Sequence, residues 1–440
     1  MAAAKGPSVG SLGKLTELRQ RIFFVIGALI VYRLGSFIPV PGVNPDAMAN
    51  LIGQSGGLLD MFNMFSGGSL GRFSVFALGV VPYISASIVV QMMGSVIPSL
   101  QALRKEGQAG QRQLTTYTRI GTVGLSAFQA FGIAVALMKQ STNGMPVVYT
   151  PGIGFILSSV VGLTAGSMFL MWLGEQMTER GIGNGISLLI FAGIVAGLPN
   201  AVAHTLSMSS NGELTTIKLV MVVALVLVVT AFVVFMERAQ RRITVNYARR
   251  SGGQRSYMNQ TSHLPLKINM AGVIPPIFAN SILMFPAMAA TWGNASHQSR
   301  WLQNLIQVLT PGEPLYDIIY AILVITFAFF YTAIVFNSQD TADNLKRSGA
   351  LIPGIRPGRS TAEYIDSVMS RLTGVGALYL VLVCLVPTFM QNAWHVPFYF
   401  GGTSLLIVVV VVMDFTAQVQ AHLVSHQYEG LLKKANLRRG

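Results

Sequence analysis

Residues 79–86 read GVVPYISA, and residues 272–279 read GVIPPIFA. Gly, Val, Pro, Ile and Ala coincide at matched positions. A second pair follows in consistent order, GISLLI at 185–190 and GTSLLI at 402–407. Working outward from these segments, apolar runs occupy 22–38, 76–97, 118–138, 153–174, 186–206, 215–236, 271–292, 315–336, 370–390 and 400–420. A helix needs about 20 such residues to cross the hydrocarbon core. The members of each matched pair are five runs apart, which marks an internal repeat of two five-span halves. An odd number of spans per half forces the halves into opposite orientations, so the repeat is inverted.

Composition supports a membrane protein. The 440 residues are 52% hydrophobic and 10% charged, too little charge to cover the surface of a soluble protein of this size. The ten-residue alternating segments of a transmembrane β-barrel are absent. The first apolar run follows a basic stretch from Lys14 to Arg21, as in a signal peptide, but it lacks a small-residue cleavage site and ends in SFIPVPG. It reads as a retained first span. The sole cysteine, Cys384, lies inside a span, which excludes an intrachain disulfide and a cysteine metal cluster.

The net charge of +14 is distributed unevenly. With ten spans both termini share a side. If that side is the cytoplasm, all Lys and Arg except Arg33, Arg72, Lys139, Lys218 and Arg300 fall in or beside cytoplasmic segments, which sets both termini inside. Two segments carry more charge than orientation needs. In 237–270 the stretch RRITVNYA alternates like a strand and predicts a projecting hairpin. In 337–368, Pro353, Gly354, Pro357 and Gly358 bracket Arg356 in a turn-rich tip. An acidic partner, protein or RNA phosphate, suits such protrusions. Solvated loops that merely orient the chain are the plainer alternative.

The repeat also suggests where function sits. Pro82 and Pro275-Pro276 remove backbone donors and predict broken helices within spans 2 and 7, a mark of the transport path in inverted-repeat proteins. Ile84 matches Ile277, and Ile190 matches Ile407. Related by a pseudo-two-fold axis, the four would form a constriction that excludes water and ions; for any one of them, core packing or lipid contact is the ordinary fate. Charge inside the spans is scarce. Arg33 can snorkel, Asp414 lies toward the cytoplasmic end of the last span, and Glu175 and Glu179 border a loop. No paired carboxylates or nucleophile–base constellation point to an enzyme, and no cofactor is implied. His422 and His426 lack a third ligand and suit an interfacial helix better than a metal. GIGNG at 181–185 follows no strand and reads as a helix entry. The GxxxG spacings Gly162–Gly166 and Gly193–Gly197 permit close helix contact. Residues 61–72, MFNMFSGGSLGR, form a stub too short to span and too apolar for a wet loop. An inverted-repeat secondary transporter of a small solute is the rival reading, disfavoured by the scarcity of intramembrane charge.

FNMFSGG, GVVPYISASIVVQ, GEQMTERGIGNGISLLIFAGIVAGLP, LPLKINMAGVIPPIFANSILMFP, TADNLKRSGALIPGIRPG and VPFYFGGTSLLIVVVVVMDF together resemble the bacterial SecY family, channel subunits of the Sec preprotein translocase. The resemblance runs from about residue 14 to the tail. It implies an all-α polytopic membrane protein, with ten transmembrane helices in two inverted five-helix halves around a central pore. The expected divisions are a cytoplasmic segment 1–21, an N-terminal half 22–206, a C-terminal half 207–420 and a cytoplasmic tail 421–440. The implied activity is translocation of unfolded secretory polypeptides across the bacterial cytoplasmic (inner) membrane, with lateral release of transmembrane segments into lipid.

By the same resemblance the stub is a plug, a short helix including Met61, Phe62, Asn63, Met64, Phe65, Ser66, Gly67 and Gly68 that seals the resting pore. The pore ring maps onto Val80, Ile84, Ile186, Ile190, Ile277 and Ile407, and the lateral gate onto spans 2 and 3 against 7 and 8, with Ser85, Ser87, Gln129 and Asn280 as its polar groups. The SecA ATPase or the ribosome, through rRNA and ribosomal proteins, would read Arg356, supported by Arg241, Arg242, Arg249, Arg250 and Arg255. SecE, SecG, signal sequences, nascent polypeptides and anionic lipids complete the implied partners.

Overall fold

A computed structural model describes residues 16–55, 63, 66–138, 140–142, 145–211, 215–247, 261–291, 313–394 and 402–436. Every one of the ten apolar runs carries a helix. In chain order these are α1 (Thr16–Gly35), α3 (Val81–Val96), α5 (Gln108–Met138), α6 (Ile153–Arg180), α7 (Gly185–Ser210), α8 (Thr216–Arg238), α9 (Ile274–Thr291), α10 (Pro314–Val335), α12 (Arg359–Trp394) and α13 (Gly402–Asn436). Between them lie α2 (Pro45–Ser55), α4 (Pro98–Lys105), α11 (Ser338–Arg347), a small hairpin of β1 (Ser141–Thr142) and β2 (Met145–Pro146), and strands β3 (Gln240–Tyr247), β4 (Thr261–Lys267) and β5 (Ala350–Leu351). Among the described residues, six helices are by themselves long and apolar enough to cross a membrane. A seventh candidate is the pair α3 and α4, bent by 102°. The bend has a local cause: Ile97 precedes Pro98 and is pushed to an extended backbone, φ −87° and ψ 120°.

The prolines of the repeat do not break their helices. Pro82 occupies the first turn of α3, and Pro275-Pro276 follow the first residue of α9. A proline there sacrifices only an N–H that has no intrahelical partner, and its fixed φ suits a helix start. Spans 2 and 7 therefore begin at these prolines. The second span is also shorter than the apolar run predicts, because Val75–Val80 are turns and Gly79 has φ +58°.

The chain divides into two compact units. One contains residues 1–204, 284–306 and 407–440. Its core joins the loop after α1 to α5 and α6, through Val40, Val43, Phe73, Leu78, Ala130, Ala134, Phe155 and Leu163. Backbone bridges Pro39–Ser74 and Val43–Val148 tie that loop down. The GIGNG turn is indeed a helix entry: Asn184 Oδ1 accepts from the N–H of Ile186 (3.1 Å) and Ser187 (3.3 Å), capping α7. A Cβ on Gly185 would collide with the Gly174 carbonyl of α6, so this helix pair requires glycine at its closest approach. Arg119 on α5 grips Glu175 on α6 with two hydrogen bonds of 3.2 and 2.6 Å.

The other unit contains residues 205–283 and 307–406. The hairpin predicted from RRITVNYA is present, with Arg242 opposite Pro265 and Ile243 opposite Leu264. The sequence gives no hint of the third strand. β5, from the second basic loop, pairs antiparallel with β3 at Asn246–Leu351 and Tyr247–Ala350. The two loops are thus one structure. Ile243 and Val245 point inward and pack with Leu266, Ala350, Ile352, Ile365 and Met369 in a core of their own. In contrast, α8 exposes Ile217, Val220, Leu227, Val228 and Phe235, each more than 60% accessible, an apolar face suited to lipid or a partner helix.

Candidate functional site

The repeat isoleucines occupy equivalent helical positions. Ile84 is the fourth residue of α3, and Ile277 the fourth of α9. Ile190 is the sixth residue of α7, and Ile407 the sixth of α13; both helices start at the repeat glycine. The matched sequences therefore yield matched elements. Ile84, Ile190 and Ile407 are buried, Ile407 completely, whereas Ile277 is half-buried. Val80 is buried and sits one turn before Ile84, whose N–H donates to the Val80 carbonyl (3.1 Å). Ile186 lies one turn before Ile190 and packs against Gly174 of α6. Spacing of four places both pairs on single helix faces.

Of the expected stub helix, Met61, Phe62, Met64 and Phe65 lie outside the described residues. Asn63 is helical, but Ser66–Phe73 form turns, so the described part is not the helix anticipated. Ser66-Gly67-Gly68 needs left-handed backbone at both glycines, φ +69° and +80°. The Asn63 carbonyl accepts from Gly68 N–H (2.8 Å) and Ser66 Oγ (3.0 Å). The turn is held from α1: Tyr32 donates its hydroxyl to the Ser66 carbonyl (3.3 Å), and Arg33 Nη1 donates to the Gly67 carbonyl (3.1 Å). A Cβ on Gly67 would lie 3.1 Å from the Cα of Gly193 on α7, so the turn also rests on a second helix. Arg33 was expected to snorkel; it instead binds this turn and stands over the Phe37 ring, 5.5 Å from its centroid. Arg72 lies over the same ring at 4.1 Å. A guanidinium offers several donors in a fixed fork, and the Gly67 backbone carbonyl is a fitting acceptor.

Among the gate candidates, Ser85 and Ser87 are half-buried, and Ser87 Oγ accepts from Gln91 Nε2 at 3.1 Å. Gln129 and Asn280 are buried, and Gln129 Oε1 and Asn280 Nδ2 have no hydrogen-bond partner among the described residues. Buried unpaired amides are rare because each costs about 1–3 kcal/mol, and their presence calls for a role.

Arg241 and Arg242 are exposed on β3, and Arg356 is exposed at the tip between α11 and α12. Arg249, Arg250 and Arg255 lie outside the described residues. The tip is built as predicted, with Gly354 at φ +80° and Gly358 at φ +108°. Thr361 Oγ1 donates to the Arg356 carbonyl (2.9 Å), fixing the tip to the start of α12. Because β5 joins the hairpin, Arg241, Arg242 and Arg356 belong to one connected basic platform.

One cluster escaped the sequence reading. Glu237, at the end of α8, is buried and accepts from Asn269 Nδ2 (2.6 Å) and the Tyr379 hydroxyl (3.4 Å). Its charge reads in sequence as a span boundary. The available signal was Asn269 three residues before Gly272, a spacing suited to a side chain that closes a turn. Among the described residues, no group of His, Cys, Asp and Glu is arranged to hold a metal.

The SecY family model matches residues 74–416. The chain belongs to the SecY family. It is 58% identical over 428 residues to the "Protein translocase subunit SecY" of Escherichia coli K12, covering 97% of this chain and 96% of that one. The SecY fold also appears in more distant structures. One, "The plug domain of the SecY protein stablizes the closed state of the translocation channel and maintains a membrane seal", has a TM-score of 0.64 at 17% identity and covers 97% of this chain and 96% of the other. Another, "Sec61 in the Canine ribosome-channel complex from the endoplasmic reticulum", has a TM-score of 0.61 at 16% identity with the same coverage. The polytopic α-helical fold of the SecY family is thus the fold of this chain.

Proposed function

We propose that this chain is the subunit through which unfolded secretory polypeptides cross the bacterial cytoplasmic membrane, and from which transmembrane segments pass sideways into lipid. The observation that carries this reading is the matched placement of Ile84 with Ile277 and Ile190 with Ile407. Four aliphatic side chains on repeat-related helices suit a dry collar. Such a collar binds no side chain strongly and stops ions when empty. A charged residue at the membrane centre costs about 2.5–3.5 kcal/mol, and a secretory chain carries many, so water on both sides of a thin collar replaces lipid along the path.

The remaining groups take roles around that collar. Val80, Ile84, Ile186, Ile190, Ile277 and Ile407 take the role of the ring. Residues 61–68 form the plug. Ser85, Ser87, Gln129 and Asn280 line the lateral gate, where unpaired amides are ready to meet an arriving polar backbone. The basic platform of Arg241, Arg242 and Arg356, with Arg249, Arg250 and Arg255, receives SecA or the ribosome. Both termini lie in the cytoplasm, a reading the charge distribution supports. SecE and SecG complete the membrane complex, signal sequences open it, and anionic lipids meet its basic rim.

The test is reconstitution. The chain with SecE and SecG in vesicles is expected to take up a secretory precursor into protease protection when SecA and ATP are added. No uptake, together with saturable binding of a small solute, would install the transporter reading instead.

The seat of the plug makes a second expectation. Tyr32→Phe with Arg33→Gln removes both hydrogen bonds to the Ser66-Gly67 turn. Losing one neutral and one charged bond costs about 2 kcal/mol, or roughly thirtyfold in the closed-to-open ratio. Resting ion conductance in planar bilayers is expected to rise by that order, with precursor uptake retained. Conductance unchanged from the parent would show that α1 does not hold the plug.

A further inference from the structure

A buried polar joint sits at the neck of the basic platform. α8 leads into β3, β4 leads through residues 268–273 into α9, and α12 runs directly from the Arg356 tip. Ile268 N–H donates to the Ala239 carbonyl (3.1 Å), closing the hairpin at its base. Asn269 is buried and uses both ends of its amide. Its Oδ1 accepts from Gly272 N–H (3.1 Å), and its Nδ2 donates to the Gly272 carbonyl (3.2 Å) and to Glu237 (2.6 Å). Gly272 has φ +61°, so the bracketed turn has a fixed shape. From α12, Tyr379 donates to the same Glu237 oxygen (3.4 Å), and its ring meets Phe232 of α8 edge-on at 5.8 Å. One turn earlier, a Cβ on Gly376 would come within 2.8 Å of the Ile268 carbonyl, so α12 touches the linker backbone itself.

α8, the linker and α12 therefore meet on a single carboxylate, at the point where the platform becomes α9. Neither the ring nor the platform uses this group. A buried carboxylate is expensive unless its partners are well placed, and here a 2.6 Å hydrogen bond comes from the residue that shapes the entry to α9. We propose that Asn269, anchored on Glu237 and Tyr379, is a positioning residue that couples the platform to α9. A partner displacing the sheet would then carry the start of α9 with it, and with it Ile277 and Asn280 in its first two turns. The proposal rests on the channel reading above and adds to it a route from docking to opening.

The test uses the complete complex with SecE and SecG in planar bilayers and nanodiscs, with SecA and a non-hydrolysable ATP analogue as the probe. Asn269→Asp sets two carboxylates against each other and is expected to cut the SecA-induced conductance at least fivefold, with SecA affinity within twofold of the parent. The exchanged pair Glu237→Gln with Asn269→Asp restores an amide facing a carboxylate and is expected to recover at least half of the loss. Asn269→Ala, which introduces no repulsion, is expected to lie between them and serves if the aspartate variant does not assemble. Full SecA-induced conductance in Asn269→Ala or Asn269→Asp overturns the coupling. Parallel loss of affinity and conductance also overturns it, since the joint would then only fold the platform. If the parent complex gives no SecA-induced conductance, the channel reading itself falls.

Discussion

Arg356→Glu is expected to lower SecA-driven export about thirtyfold or more while the complex remains assembled at normal abundance. The side chain is exposed at a tip stiffened by two prolines and two left-handed glycines, and the core beneath it is formed by other residues. A surface substitution of this kind normally changes stability by less than about 0.5 kcal/mol. Docking is different. Reversing a charge that meets an acidic partner replaces attraction by repulsion, and losing one desolvated interfacial charge contact costs about 2–5 kcal/mol. Two kcal/mol already gives the thirtyfold effect. Arg359 supplies the control: it is also exposed but is occupied by Glu363 at 3.0 Å on its own helix. Arg359→Glu is expected to be several times milder. Precursor uptake into vesicles and SecA affinity at two salt concentrations measure both. Arg356→Glu should also flatten the salt dependence of SecA binding, because it removes part of the screened attraction. Normal uptake by Arg356→Glu at equal abundance would take the tip out of the docking surface.

Much of this architecture was legible because a bilayer imposes length and hydropathy on each span. The ten runs located ten helices, and two short repeats located residues that fall at equal distances from their helix starts. What stayed hidden depended on pairing distant segments. The two basic loops each looked separate, since β5 is a two-residue strand with no alternation to detect. Its pairing with β3 is a tertiary event. Pro82 and Pro275-Pro276 were read as breaks because the apolar runs begin before them; only the backbone shows that the preceding residues are turns. Arg33 looked like a snorkelling cation for a related reason. Its acceptor is the backbone carbonyl of Gly67, which carries no signature in the sequence. Glu237 was concealed by its position at the end of an apolar run, where a charge is expected and therefore unremarked.

Ile407→Asn bears most directly on the collar. Ile407 is wholly buried at the sixth position of α13, matched to Ile190 on α7. Asparagine is close to isoleucine in length but brings an amide with donors and acceptors to satisfy. Leaving them unmet costs about 1–3 kcal/mol, which admitting water relieves. In an ordinary packed core the result is a less stable protein and nothing else. In a collar the water is itself the leak, and about 1.4 kcal/mol off the barrier raises conductance tenfold. Ile407→Asn is therefore expected to increase resting ion conductance at least tenfold and to admit precursors with weakened signal sequences. Ile190→Asn is expected to act in the same direction, because the repeat assigns it the same duty. Ile217 on α8 is the counterexample, with 69% of its surface accessible on the apolar outer face; asparagine there is expected to leave conductance unchanged. If Ile407→Asn lowers the melting temperature of the complex yet leaves planar-bilayer conductance at the parental level, these isoleucines are packing residues, and the barrier to ions must be sought in the plug alone.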